Sequence, residues 1–314
     1  MTENNYQIFT VLSVNVSEKK GTIKVPVNEI TVTKNGIAGD AHSGDWNRQV
    51  SILGLNSIEK FIRATNRKTS YGEFAENITV SGINLDNCMP LNSFKIGDTL
   101  LEITQIGKEC HGSSCAIYKE VGNCIMPKEG IFTRVINPGI IRPGDTGLYL
   151  PKIFRIYILT LSDRASKGIY EDKSGPGIKS HISDFFAAKN LRCNIETEII
   201  PDDAPTLREI MIKRSVVSDI IFTTGGTGIG PKDITPDVIR PMLNKEIPGI
   251  MDLIRLKYSA DKPQALLSRS FAGIIDNCLV YSIPGSLKAV EEYMEEILKT
   301  LLHTVYMLHE LDIH

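Results

Sequence analysis

The sequence predicts two domains of different class: a β-rich barrel or sandwich over residues 1–150, and an α/β domain on a mostly parallel sheet over residues 151–314. Three observations predict this. The length, 314 residues, exceeds what a single hydrophobic core usually organises. The hydrophobic rhythm changes near residue 150, from short alternating runs to buried strands that alternate with amphipathic helices. The composition, 42% hydrophobic and 23% charged, is that of a folded globular chain.

In the first part, Gln7–Asn15, Ile78–Val80 and Thr99–Ile106 alternate in the manner of strands and are broken by Gly, Asn and Pro. One helical stretch, Gly54–Thr65, interrupts them. Beyond the short joint Tyr149-Leu150-Pro151-Lys152, the strands are Ile156–Leu161, Ile195–Ile200, Asp219–Thr223 and Leu279–Ile283. Between and after them come helices at Gly177–Lys189, Thr206–Val217, Pro236–Leu243, Ile250–Ala260 and Ser286–Leu311, which is the order of βαβ units. The last helix carries an apolar stripe through Val290, Met294, Ile297, Leu301 and Val305, read as core or subunit packing and nothing more.

Lys plus Arg number 35 and Asp plus Glu 37, a net charge of −2. That balance removes the diffuse attraction on which non-specific nucleic-acid binding depends. No apolar run approaches the roughly 20 residues of a membrane span. The start, MTENNYQIF, lacks the basic region of a secretory signal. Six clustered cysteines do not make a disulfide scaffold, so a reducing, cytoplasmic setting is expected.

The most informative segment runs from Asp219 to Asp237. An apolar strand leads directly into Thr224-Gly225-Gly226-Thr227-Gly228, and Gly230 follows. At the carboxyl end of a parallel strand, glycines let backbone N–H groups approach an anion, and threonines add hydroxyl donors. Pro231 stands where a Walker A loop would need lysine, and the third glycine of a dinucleotide fingerprint is missing. Lys232-Asp233 comes next, with Asp233 placed to hold a Mg²⁺ against phosphate oxygens; a helix cap is its structural alternative. Thr235-Pro236 reads as N-cap and first turn of the next helix. Three more loops at strand ends offer similar chemistry: Ser162-Asp163 leading to Asp172, Pro201-Asp202-Asp203, and Pro284-Gly285-Ser286 at the start of the long helix.

These segments (SDRASKGIYED from Ser162, Pro201-Asp202-Asp203, TTGGTGIGPKDITP from Thr223, Leu267-Ser268-Arg269 and Ile283-Pro284-Gly285) resemble the MogA/MoaB family of molybdenum-cofactor biosynthesis over about residues 153–314. The resemblance implies an α/β/α domain, commonly homotrimeric, that adenylylates molybdopterin with Mg²⁺ and ATP. It places the two essential acidic residues on Asp202 and Asp233, with Asp203 adjacent to the first. It also implies a binding site drawn from Ser162, Asp163, Thr224, Gly225, Gly226, Thr227, Gly228, Ser268, Arg269, Pro284, Gly285 and Ser286.

In the first part, Cys110, His111, Cys115 and Cys124 are soft ligands, but their spacing is wrong for a usual zinc finger or ribbon. Cys124 lies between Gly-Asn and Met-Pro near Lys128 and Arg134, where neighbouring cations would favour a thiolate. GIAGDAHSGDWNRQVSIL from Gly36, FAENITVSGINL from Phe74 and CIMPKEGIFTRVINPGIIRPGD from Cys124 resemble the MOSC domain. The resemblance implies a β-rich, barrel-like fold that binds the molybdenum cofactor or carries sulfur. It puts the characteristic cysteine at Cys124 and requires a separate sulfur donor or metal-insertion partner. The expected function is therefore cofactor maturation: adenylylation by the second domain, and binding, carriage or sulfuration by the first. A non-catalytic carrier or chaperone is the alternative, and a molybdenum redox enzyme a more distant one.

Overall fold

The structure is a computed structural model that describes residues 6–108 and 124–311. The chain divides into two compact units, one running to Lys152 and including the chain from Glu310 on, the other spanning Ile153–His309.

Among the described residues the first unit holds eleven strands: β1 (Gln7–Val16), β2 (Val25–Val27), β3 (Ile30–Thr33), β4 (Gly36–Ile37), β5 (Val50–Gly54), β6 (Ile78–Ser81), β7 (Ser93–Ile96), β8 (Thr99–Ile106), β9 (Ile131–Asn137), β10 (Gly139–Ile141) and β11 (Thr146–Leu150). Seven of them close into a barrel in the order β11-β7-β8-β9-β5-β6-β1, with β1 returning to β11. Period-two alternation turns Phe9 and Val11 of β1 inward, where they meet Ile52, Val80, Phe94 and Leu101. The helical stretch expected near Gly54 is the helix Leu55–Thr65, whose buried face is Ile58 and Phe61.

In the second unit, β12 (Ile153–Leu161), β13 (Arg192–Ile200) and β14 (Ile220–Thr224) are followed by β15 (Lys245–Glu246), β16 (Phe271–Ile275) and β17 (Cys278–Ile283). The sheet order is β13-β12-β14-β17-β16-β15. The first four strands in that order are parallel, so their carboxyl ends share one edge of the sheet. The last two are antiparallel and were not expected. The hairpin that joins β16 to β17 turns at Asp276-Asn277, and Asp276 takes φ +52°, a conformation that Asp tolerates in tight turns.

Tyr157, Leu159 and Leu161 of β12 face Leu207, Met211 and Ile239. Phe154, at an alternate position of the same strand, points to the opposite side and meets Phe186 edge-on, 5.2 Å between ring centres. On that side the helix Ser174–Ala188 packs with Leu287–Leu308, which buries Val290, Met294, Ile297 and Leu301. The expected apolar stripe is thus core. Thr235 does not cap its helix: the N-cap is Ile234, and the buried Thr235 hydroxyl donates to the Gly225 carbonyl at 2.9 Å. A hydroxyl buried beneath the loop needs an acceptor there, and the loop carbonyl supplies it. Among the described residues no helix is long and apolar enough to cross a membrane.

Candidate active site

The parallel strands deliver four loops to one edge of the second sheet. After β14 the chain turns at Gly225 and Gly226, with φ of +99° and +62°. A Cβ on Gly226 would stand 2.5 Å from the Thr235 hydroxyl, so conformation and space both demand glycine. Gly225 N–H donates to Ile283 O at 3.1 Å and Thr224 Oγ1 to Pro284 O at 3.0 Å, which ties the glycine loop to the loop after β17.

These two loops form one side of a cleft of about 410 Å³. Gly226, Thr227, Gly228, Asp233, Ser268 and Ser286 line it, as do Pro284 and Gly285. Among the described residues, the backbone N–H groups of Gly226, Thr227, Gly228, Gly285 and Ser286 have no protein acceptor. Ser286 caps the 22-residue helix Leu287–Leu308 by accepting from Ala289 N–H at 3.3 Å, so that helix begins at the cleft. Five N–H donors together with the positive end of a helix dipole favour an anion.

The Asp233 carboxylate folds back onto the loop and accepts from Gly230 N–H through Oδ2 at 2.8 Å. Its Oδ1 has no hydrogen-bond partner among the described residues. Asp233 is not the residue that caps Thr235–Ile239, and among the described residues no group of three or more acidic, His or Cys side chains gathers around it.

Asp202 and Asp203, adjacent in sequence, part company. Asp203 Oδ2 accepts from Thr206 N at 2.9 Å and Thr206 Oγ1 at 2.6 Å, capping the helix Ala204–Val217. Asp202 instead exchanges hydrogen bonds with Asp163: Asp163 N to Asp202 Oδ2 at 3.0 Å, and Asp202 N to Asp163 Oδ1 at 3.2 Å. Asp163 also pairs with Lys232, and that ammonium holds its carboxyl below the usual range. Lys232 in turn is raised by Asp163. The chain segment that carries Asp233 is thereby tied to the loops of Asp163 and Asp202.

Arg269 sits differently from a ligand-binding cation. Its Nε donates to Gly228 O at 2.7 Å, its Nη2 to Asp233 O, and its Nη1 pairs with Asp237 at 2.8 Å. It clasps the glycine loop. Ser162 caps the short helix Asp163–Ser166. Asp172 accepts from Thr160 Oγ1 at 2.7 Å and from Ser174, fastening β12 to the next helix.

The far wall of the cleft holds Tyr258, Lys262, Glu292 and Tyr293, none of which the motifs indicated. The available signal was helical spacing from Ser286: Ala289 and Tyr293 follow it on one face.

In the barrel unit, Cys124 is half-buried against the cluster of Leu53, Phe61, Phe74 and Phe132. Arg134, one of its expected activating cations, is engaged by Glu102 at 2.7 Å. Cys110, His111 and Cys115 lie outside the described residues. Motif residues given no role form a buried ionic group: Asp40 Oδ2 meets Lys24 Nζ at 2.5 Å and Ser17 N at 3.0 Å, and Asp40 Oδ1 accepts from His42 N at 2.9 Å. Burial alone would raise the Asp40 carboxyl, but hydrogen bonds from His42 and Lys24 outweigh it and hold it well below the usual range.

Comparison with known proteins places both units. Residues 157–304 match the family described as "Probable molybdopterin binding domain", and residues 39–146 match the MOSC domain. A molybdopterin adenylyltransferase of Helicobacter pylori is 34% identical over 152 residues, covering 48% of this chain and 85% of that protein. Gephyrin of Dictyostelium discoideum is 36% identical over 159 residues, and there this chain spans only 22% of the relative's length. The crystal structure of the tungsten cofactor synthesizing protein MoaB from Pyrococcus furiosus is 32% identical with a TM-score of 0.45, covering 50% of this chain and 98% of that one.

Proposed function

The chain belongs to the MogA/MoaB family of molybdenum-cofactor biosynthesis, and from that premise we propose that its second unit adenylylates molybdopterin with Mg²⁺ and ATP. The observation that carries the reading is the convergence, in one cleft, of five unpartnered backbone N–H groups, a long helix N-terminus and the Asp233 carboxylate. The molybdopterin phosphate oxygen attacks the α-phosphorus of ATP, the new P–O bond forms, and pyrophosphate leaves. No protein nucleophile is required. The loop N–H groups bind and orient phosphate oxygens, and Arg269 keeps the loop in the shape that aims them. Asp233, through its open carboxylate oxygen, would hold the cation, which would supply neutralising charge between crowded phosphates, while Asp202 positions the Asp163–Lys232 pair. Asp203 belongs to the fold, not to the chemistry.

The first unit, in this reading, binds, carries or sulfurates the cofactor through Cys124, with sulfur or metal delivered by a separate donor protein. A cytoplasmic homotrimer is part of the same proposal. The test is to incubate the full chain with ATP, Mg²⁺ and molybdopterin and measure pyrophosphate. Stoichiometric or greater release supports transfer. Tight binding of molybdopterin without pyrophosphate would make the protein a carrier.

A further inference from the structure

We propose that Glu292 and Lys262 recognise the amino-lactam edge of a pterin ring, so that the far wall of the cleft selects the pterin substrate over the nucleotide base. The inference rests on the adenylyl-transfer reading above and assigns its substrate specificity. Lys262, from the turn ahead of residues 263–267, meets Glu292 of the long helix at 3.0 Å, and both line the cleft that holds the glycine loop. The Glu292 side chain is 17% exposed and that of Lys262 38%, so the pair is sheltered yet reachable.

The chemistry fits one ring class. A pterin edge presents, in a row, an exocyclic amino group, a ring N–H and a carbonyl oxygen. A carboxylate beside an ammonium presents acceptors and then a donor, the complementary order. Adenine has no ring N–H next to its amino group and no carbonyl, so it cannot satisfy both partners at once. A buried-edge mismatch of this type is what gives polar sites their discrimination.

The spacing fits too. Glu292 lies six residues beyond the cap Ser286, which at 1.5 Å rise per residue is about 9 Å along the helix. A ligand with its phosphate at the helix start and its ring edge at Glu292 therefore lies along one helix face. Ala289, midway between them, keeps that face low. Two aromatic rings border the path and are fixed by their hydroxyls: Tyr258 donates to Glu295 at 3.0 Å, and Tyr293 pairs with Ser270 at 2.9 Å. Rings held this way can take a flat heterocycle without reorganising.

The test compares the full-length wild type with Glu292→Gln, and with Lys262→Met as a second variant, by calorimetric titration with molybdopterin under anaerobic conditions and separately with Mg–ATP. Glu292→Gln is expected to weaken molybdopterin by about ten-fold or more. ATP affinity and the inhibition constant of inorganic pyrophosphate should stay within about two-fold. Lys262 is 38% exposed, so its ion pair contributes little to folding and the melting temperature should barely move. Loss of ATP affinity with molybdopterin unchanged would overturn the inference by placing Glu292 on the nucleotide ribose. Unchanged affinity for both would reduce the pair to a surface tether. A wild type that binds no molybdopterin would instead contradict the transfer reading itself.

Discussion

In the barrel unit three ionisable side chains, Lys24, Asp40 and Glu76, are buried to 2%, 5% and 0% exposure, each held by specific partners. The α/β unit also buries Asp172 and Glu296, but its site does the reverse. Its site carboxylates, Asp163, Asp202 and Asp233, are half-exposed, Lys232 is exposed, and what lies buried beneath them is hydroxyl: Thr223, Thr224, Thr227 and Thr235. The difference separates two uses of charge. A buried ion pair is part of the fold, since removing one partner strands the other away from water. A ring of open charges on loops costs the fold little and stays available to a ligand. Substitution in the first unit should therefore be read in stability, and in the second in turnover or affinity.

The largest effect should come from Asp40→Asn, which leaves the Lys24 ammonium buried without its counter-charge and should cost roughly 3–5 kcal/mol. Denaturant melts of the full chain, followed at the barrel transition, would measure it; a loss below about 1 kcal/mol would break the comparison. The effect also has a defined pH direction. Because the Asp40 carboxyl is held below its ordinary value in the fold, its contribution is fully present above the unfolded value of 3.8 and fades as pH falls beneath it. The gap between wild type and Asp40→Asn should accordingly be widest near neutrality and narrow below about pH 4.

Gly226→Val should weaken both ATP and molybdopterin by about ten-fold or more, because a branched side chain cannot hold φ +62° or clear the Thr235 hydroxyl. Unchanged affinities in a folded variant would leave the glycines as turn residues only. Cys124→Ser sharpens the contrast from the other unit. Adenylyl transfer should be unaffected, while capture of persulfide sulfur or of the molybdenum cofactor is lost. Equal capture by variant and wild type would remove Cys124 from the proposal. The smallest effect should be that of Asp203→Ala, a melting temperature lower by a few degrees through the lost cap, with turnover per folded molecule intact.

The two units also differ in how far their chemistry is legible from sequence. Each loop of the α/β site is a contiguous run that follows a parallel strand, so composition and position together point to it. The opposite wall gives no such signal. Lys262 lies in the turn between the helix Pro248–Ser259 and residues 263–267, Glu292 sits on the polar face of a long helix, and only packing brings them to 3.0 Å. In the barrel, Lys24 and Asp40 lie 16 residues apart, and a lone lysine between short strands reads as solvated until the closed sheet buries it. Thr235 carries a related lesson. Ser/Thr before Pro suits a helix cap, but tertiary contact gave its hydroxyl to the Gly225 carbonyl. The Asp202–Asp203 pair is resolved only by geometry, since both residue types suit either role.

The central claim is that the open carboxylates of the α/β unit serve chemistry and not folding, and Asp233 tests it most directly. Melting temperature and pyrophosphate release should be measured on the same samples of wild type and Asp233→Asn, with Asp203→Asn as the control. Asp233→Asn keeps the side-chain shape and should melt close to wild type and still bind molybdopterin, while turnover falls on the order of a hundred-fold or more. The control should release pyrophosphate at the wild-type rate per folded molecule. An Asp233→Asn protein that melts about 1 kcal/mol lower with turnover preserved would contradict the account and make Asp233 a loop-closing residue.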